Sequence, residues 1–354
     1  MCAGSALPPG NRNGQPFEQP ILVWGAGAIG GTISAYLQRA GIQLKVVDIV
    51  REHVIAMREQ GLEIEGPIEQ FNQRLDAAMP DEVQGTYGCI LLAVKAQHTE
   101  AALHQAARHL APGGAVVSLQ NGLSERVIAR YVGEAATIGA LVNFAADYIG
   151  PGRILYGTRG ALVIGEFTPI ASLRAEYLAG IFSVFEPAAR ATDDIWPYKW
   201  GKLAYGSLLF ATALSNGTIA DTLSNARHRP LFRRLAREVI GVAQALQVEP
   251  RGFDGFVPRC FLQGASDTHL IASLSDIANH YCRSAKQRSG VWRDLVIRKR
   301  ETEIEAQFGE VFRLADEHGL DVRCNRQLVA LIHEIEDGRR ELREENLDEL
   351  LALA

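Results

Sequence analysis

Residues 20–50 read PILVWGAGAIGGTISAYLQRAGIQLKVVDIV. A short apolar strand, ILVW, runs straight into Gly25-Ala26-Gly27-Ala28-Ile29-Gly30, and a helical pattern follows to Gly41. A second strand, LKVVD, then ends in an acid, Asp48, about eighteen residues past the last glycine, the spacing of a dinucleotide-binding βαβ unit. Gly25 permits the tight turn, Gly27 lets the backbone approach a pyrophosphate, and Gly30 lets helix pack on strand. The helix start at Ala28 and Ile29 offers unpaired N–H groups and a partial positive charge to the phosphates. Asp48 suits both ribose hydroxyls of an adenosine and repels a 2′-phosphate, which favours NADH over NADPH. Arg51, three residues on, either pairs with such a phosphate or is a solvated residue at a helix start.

Working outward, further strands are expected at CILLAVK (89–95), AVVSLQ (115–120), TIGALVNF (137–144) and ALVIGE (161–166), with helices between them. Alternating strand and helix predicts a mainly parallel α/β sheet with its ligand beyond the carboxyl ends of the strands. Lys95 and Asn121 sit at two such ends and are candidates to line the nicotinamide. From about Ile195 the strand-like runs stop and apolar residues recur at three- and four-residue intervals, as in PLFRRLAREVIGVAQALQ. The fold class is therefore an α/β Rossmann domain followed by an all-α domain. The expected divisions are a flexible tail over 1–18, a dinucleotide-binding domain over 19–192, and a helical substrate or dimerisation domain over 193–354, with the substrate in the cleft between the domains.

The 36 basic and 41 acidic side chains give a formal charge of −5, which offers no general attraction to nucleic acid or an anionic membrane. A small-molecule partner is expected, with a homodimer open. The five cysteines are scattered and form no C-x-x-C pair, a pattern of free thiols in a reducing cytoplasm, and no metal site is expected. No run spans a bilayer without charges.

PYKWGKLAYGSLLFATAL, residues 197–214, places a lysine at the entrance of a long apolar run. On a helix starting near Trp200, Lys202, Gly206 and Phe210 share one face. Lys202 in an interdomain cleft can donate a proton to a carbonyl oxygen; the bland alternative is a lysine reaching water from a buried helix. Lys199 is expected at the helix entrance in solvent.

GAGAIGG after the first strand, LLAVKA, SLQNGL, the Pro151-Gly152 turn, WGKLAYG, and RETEIEAQFGEVFRLADEHGLDV near the end occur in order. Together they resemble the ketopantoate reductases (2-dehydropantoate 2-reductases) from about residue 20 to 340. The resemblance implies reduction of a 2-keto acid, ketopantoate to pantoate, with NADPH. It implies Lys202 as the general acid, Glu303 as the holder of the substrate hydroxyl, and Asn121 and Lys95 as residues lining nicotinamide and substrate. From the residues alone Glu303 reads as a solvated helix charge beside Ile304, Phe308, Val311 and Leu314.

The chain departs from that pattern at several positions. Gly206 and Phe210 stand where the family places asparagines. The segment that supplies a serine to the substrate carboxylate reads SGVWRD, with Gly290 in the serine's place. The remaining donors are Ser289, Arg293, which is equally a surface residue, and the N–H groups around Gly290. One straight helix would separate Ser289 from Glu303 by roughly 21 Å, so a helix must begin between them if both serve one small acid. Asp48 is also unlike an NADPH enzyme of this family. Two other readings follow: a reductase of a bulkier 2-keto acid, welcomed by Phe210 and Trp292, and a nucleotide sensor without turnover.

Overall fold

A computed structural model of the chain describes residues 16–17, 20–282 and 287–354. β1 (Ile21–Trp24), α1 (Ala28–Arg39), β2 (Leu44–Val47) and α2 (Arg51–Glu59) form the βαβ unit read from the glycines. β3 (Leu62–Glu65), β4 (Phe71–Gln73), β5 (Ala77–Ala78), β6 (Tyr87–Leu92), α3 (Thr99–Ala106), β7 (Leu110–Ser118), α4 (Ser124–Val132) and β8 (Thr137–Val142) follow. β9 (Ala145–Gly150), β10 (Arg153–Thr158), β11 (Leu162–Glu166), α5 (Leu173–Phe182) and β12 (Arg190–Ala191) end the strand-bearing half.

The main sheet has the order β12-β11-β8-β7-β6-β1-β2-β5. Every pairing in it is parallel except that of β11 with β8. Its central strands are continuous apolar runs, as strands covered on both faces must be. A second sheet, β4-β3-β10-β9, has no counterpart in the sequence reading. Its strands are short and half-polar, LEIE and FNQ among them, so they lack the apolar runs that mark the main sheet. The Pro151-Gly152 turn joins β9 to β10, with Gly152 at φ +72°. Glycine admits this sheet to the nucleotide helix: a Cβ on Gly31 would meet Ile154 Cδ1 at 2.4 Å.

After residue 195 the described residues hold no strand beyond an isolated bridge, and the α-helices are α6 (Trp196–Thr212), α7 (Ile219–Ser224), α8 (Arg229–Ala245), α9 (Asp267–Cys282), α10 (Gly290–Val296), α11 (Ile304–Glu317), α12 (Arg323–Glu336) and α13 (Glu345–Leu351). Pro230 lies in the first turn of α8, and Gly319, at φ +63°, follows the end of α11 in the left-handed cap conformation. One apolar cluster joins α6, α8, α11 and α12, and it includes Trp200, Phe232, Phe308 and Leu331. Most of the expected tail lies outside the described residues. Phe17 is not loose: it is buried in the first-half core, edge-on to Tyr177 of α5.

Candidate active site

The glycine loop has the geometry its sequence called for. A Cβ on Gly25, at φ +100°, would meet Val94 N at 2.8 Å, and one on Gly30 would meet Gly25 O at 2.0 Å. A Cβ on Gly27 would meet nothing within 4 Å. Gly27 is also the cap residue of α1 and supplies no side chain to its first turn. The helix start at Ala28 and Ile29 thus presents backbone N–H groups to an open face, which fits a dinucleotide pyrophosphate. The loop is braced from behind. The Gly152 N–H donates to His53 Nδ1 (2.9 Å), so Nε2 carries the ring proton and donates to Ala26 O (2.9 Å).

Asp48 lies at the end of β2, half-buried. Its Oδ2 accepts the Ala26 N–H (2.8 Å) and its Oδ1 the Val50 N–H (2.9 Å). Two backbone donors therefore fix the carboxylate at the strand end. Arg51 opens α2 and is exposed.

α6 starts at Trp196, one turn earlier than read from the sequence, and this relocates Lys199. It is 1% exposed, not solvated, and its Nζ lies 2.7 Å from Glu125 of α4. The same ammonium donates to Gln120 O (2.9 Å) and Ala140 O (3.3 Å). One turn on, Lys202 is half-buried and donates to Val142 O at the end of β8. Burial presses its pKa down, Lys199 presses it further, and Glu303, Asp254 and Glu125 pull it up; the balance is about 7. Gly206 shares the half-buried face of α6, and a Cβ there would meet nothing within 4 Å. Phe210 does not line that face. It is 3% exposed and packs edge-on against Phe308 in the helical core, ring centroids 5.7 Å apart.

Glu303 stands at the cap of α11, and its carboxylate reaches across to the strand-bearing half. Oε1 accepts the Ala96 N–H (2.9 Å) and Oε2 lies 3.5 Å from Lys95 Nζ. Lys95 also pairs with Asp294 of α10, a buried carboxylate that further accepts from Arg298 and Arg300. Burial would raise the pKa of Asp294, but Lys95, Arg300 and Arg298 together hold it below the usual range. Asn121 is half-buried where the chain leaves β7. The next residue, Gly122 (φ +75°), comes so close to α11 that a Cβ would meet Gln307 Cα at 3.2 Å. The ends of β6, β7 and β8 and the starts of α6 and α11 thus bring Lys95, Asn121, Lys202 and Glu303 to one interdomain region.

The carboxylate donors fare differently. Ser289 and Glu303 do not share one straight helix: α10 ends at Val296 and α11 begins at Ile304, each of the two residues standing at a helix cap. Ser289, however, caps α10, its Oγ accepting the Trp292 N–H at 3.2 Å. Arg293 is engaged elsewhere, its guanidinium pairing with Asp147 of β9. Trp292 is largely buried in the helical core, its Nε1 donating to Asn216 Oδ1 (3.3 Å).

Asp254 was missed by the sequence reading. Asp254 (φ +43°) and Gly255 (φ +87°) form a tight turn closed by paired hydrogen bonds between Phe253 and Phe256. Its Oδ2 accepts from Asn143 Nδ2 (2.7 Å) and the Ala161 N–H (2.9 Å), next to the carbonyl that holds Lys202. Asp-Gly between two phenylalanines is a hairpin-turn signal that was available in the sequence.

A mainly parallel α/β domain with a glycine-rich loop, followed by an all-α domain, is the architecture of a family of oxidoreductases. The chain belongs to the ketopantoate reductase PanE/ApbA family: the family's model matches residues 21–169, and the model of its C-terminal part matches 194–336. The 2-dehydropantoate 2-reductase of Archaeoglobus fulgidus is 26% identical over 322 residues, 90% of this chain and 99% of that one. That of Pyrococcus abyssi is 27% identical over 319 residues, 88% and 96% of the two chains. Among solved structures, a PanE/ApbA family ketopantoate reductase from Ralstonia eutropha superposes with a TM-score of 0.73 at 26% identity, over 91% of this chain and 99% of that one. D-mandelate dehydrogenase with NADH and anilino(oxo)acetate shares the fold, with a TM-score of 0.76 at 20% identity over 90% and 98% of the chains.

Proposed function

We propose that the protein reduces a 2-keto acid with a nicotinamide dinucleotide, Lys202 being the proton donor. The observation that carries this is the Lys202 ammonium: half-buried beside the ends of β6, β7 and β8, held by Val142 O, and balanced near pH 7. The bound dinucleotide supplies the hydride. Lys202 donates a hydrogen bond to the keto oxygen and then its proton to the developing alkoxide. Glu303, fixed by the Ala96 N–H and Lys95, accepts the hydrogen bond of the new hydroxyl. Asn121 and the Lys95 loop would flank the nicotinamide. For the substrate carboxylate the remaining donors are the Ser289 hydroxyl and the backbone around Gly290.

NADH is the favoured cofactor. Two backbone N–H groups pin Asp48 at the end of β2, where its negative charge would oppose a 2′-phosphate. Ketopantoate, the substrate named for the relatives, is the first candidate. The open space over Gly206 favours a second, a 2-keto acid with a bulkier substituent, as D-mandelate dehydrogenase accommodates in anilino(oxo)acetate.

The test is cofactor binding followed by turnover on ketopantoate and on aryl-substituted 2-keto acids, with wild type and Lys202→Ala. We expect tighter NADH than NADPH binding, and a loss in kcat of about 10²- to 10⁴-fold in the variant with cofactor affinity retained. Cofactor binding without turnover on any keto acid would support a sensor instead.

A further inference from the structure

Below the reacting end of Lys202 lies a second lysine that the proposed reaction does not use. Lys199 and Glu125 are 1% and 0% exposed, so both ionic groups are wholly removed from water. Such a pair is a poor way to obtain stability, since well-packed apolar residues of similar volume serve as well or better. The arrangement is also incomplete: Glu125 Oε2 has no hydrogen-bond partner among the described residues. Its position supplies the reason for it.

The Lys199 ammonium donates to Gln120 O, the carbonyl preceding Asn121, and to Ala140 O, two residues before the carbonyl that holds Lys202. Gln120 in turn donates through Nε2 to Val94 O (2.9 Å), beside Lys95, and to Thr99 Oγ1 (2.8 Å). One buried cation therefore ties the Lys95 loop, the Asn121 turn and the β8 edge to the helix that carries Lys202. We propose that the Lys199–Glu125 pair is a positioning device for Lys202, anchoring α6 to those three strand ends and placing a second positive charge beneath the reacting ammonium. That Lys202 is the proton donor rests on the functional reading above.

The charges facing Lys202 come from four directions: Lys199 on its own helix, Glu125 on α4, Glu303 at the start of α11, and Asp254 in the turn after α8. Lys199 is the strongest of these and the only one that disfavours the ammonium. Removing its charge moves the Lys202 titration up, whereas removing only the compensating Glu125 moves it down.

The experiment follows the Lys202 resonance in full-length protein labelled with [13Cε]lysine, assigned by its loss in Lys202→Arg, alongside the pH profile of kcat/KM. Three variants are compared: Lys199→Met, Glu125→Gln, and the double variant Lys199→Met/Glu125→Leu, whose apolar pair keeps the core filled. We expect upward shifts of about one pH unit in Lys199→Met and, less so, in the double variant, and a downward shift in Glu125→Gln. The alkaline limb of kcat/KM moves with them. A folded double variant that titrates like wild type overturns the proposal, and so does an upward shift in Glu125→Gln, which would mark loosened packing. Opposite shifts without turnover in wild type would uphold the pair's role and reject the reductase reading instead.

Discussion

Lys202 has a neighbour on α6 whose identity matters more than its chemistry suggests. Gly206, one turn on, has open space where a side chain would stand. A glycine inside a helix is conformationally costly, so Gly206→Ala is expected to raise stability by about 0.5–1 kcal/mol, read by urea denaturation. Larger residues there are expected to leave the fold intact and raise KM for the bulkier keto acids while sparing ketopantoate. As the proposed proton donor, Lys202 is expected to set the pH response. A proton donor acts in its charged form, so kcat/KM for reduction should be level below pH 7 and fall about tenfold per unit above it, following the pKa of about 7. A flat profile to pH 9 would remove Lys202 as the acid.

At the scale of elements, α6 works as a platform on which other segments are placed. Gly201 lies so close to the loop after α8 that a Cβ would meet Arg251 O at 2.1 Å, and the Arg251 N–H donates to Pro197 O (2.9 Å). That approach delivers Asp254 to the Lys202 environment. Gly201→Ala forces the loop away, with an expected cost of about 1–3 kcal/mol, and should lower the Lys202 pKa as the Asp254 attraction weakens. Unchanged melting in this variant would mean that the loop adjusts freely. The helices were legible because amphipathic periodicity and end signals are local: Pro230 and Gly319 mark ends of α8 and α11. The start of α6 was misjudged by four residues because its first turn, Trp196 to Lys199, mixes a proline and a charge with two aromatics. On solvent-facing logic those residues read as an entrance, whereas the strand ends give the charge a buried partner.

Over the whole molecule, the two halves are fastened by charge as well as apolar contact. Asp294 binds Lys95 from the strand-bearing half, and Asp147 of β9 binds Arg293 and Arg298 from the helical half. The buried Asp294 carboxylate, with its depressed pKa, contributes stability that is complete above the unfolded value near 4 and lost as pH falls through its lower folded value. Asp294→Asn is expected to cost about 3 kcal/mol at neutral pH and to flatten the acid limb of the stability curve. Equal acid sensitivity in variant and wild type would show that other carboxylates carry that limb. Among the described residues no helix is long and apolar enough to cross a membrane.

The sequence by itself determined the nucleotide half, the helical half and the order in which they come. The glycine loop, the apolar strands and the helix periodicities are encoded in residues near one another along the chain, where backbone sterics and burial act directly. It also proposed Lys202 and Glu303 through family likeness, and it called for a helix break before Glu303 if Ser289 and Glu303 are to serve one small acid. Tertiary structure alone decided what surrounds those groups. The burial of Lys199 against Glu125, the pairing of Arg293 with Asp147 and the retreat of Phe210 against Phe308 depend on residues 74 to 146 positions apart in sequence. An ionic side chain takes its character from the partners and the dielectric around it, and those are fixed only once the strand ends and helix starts have met.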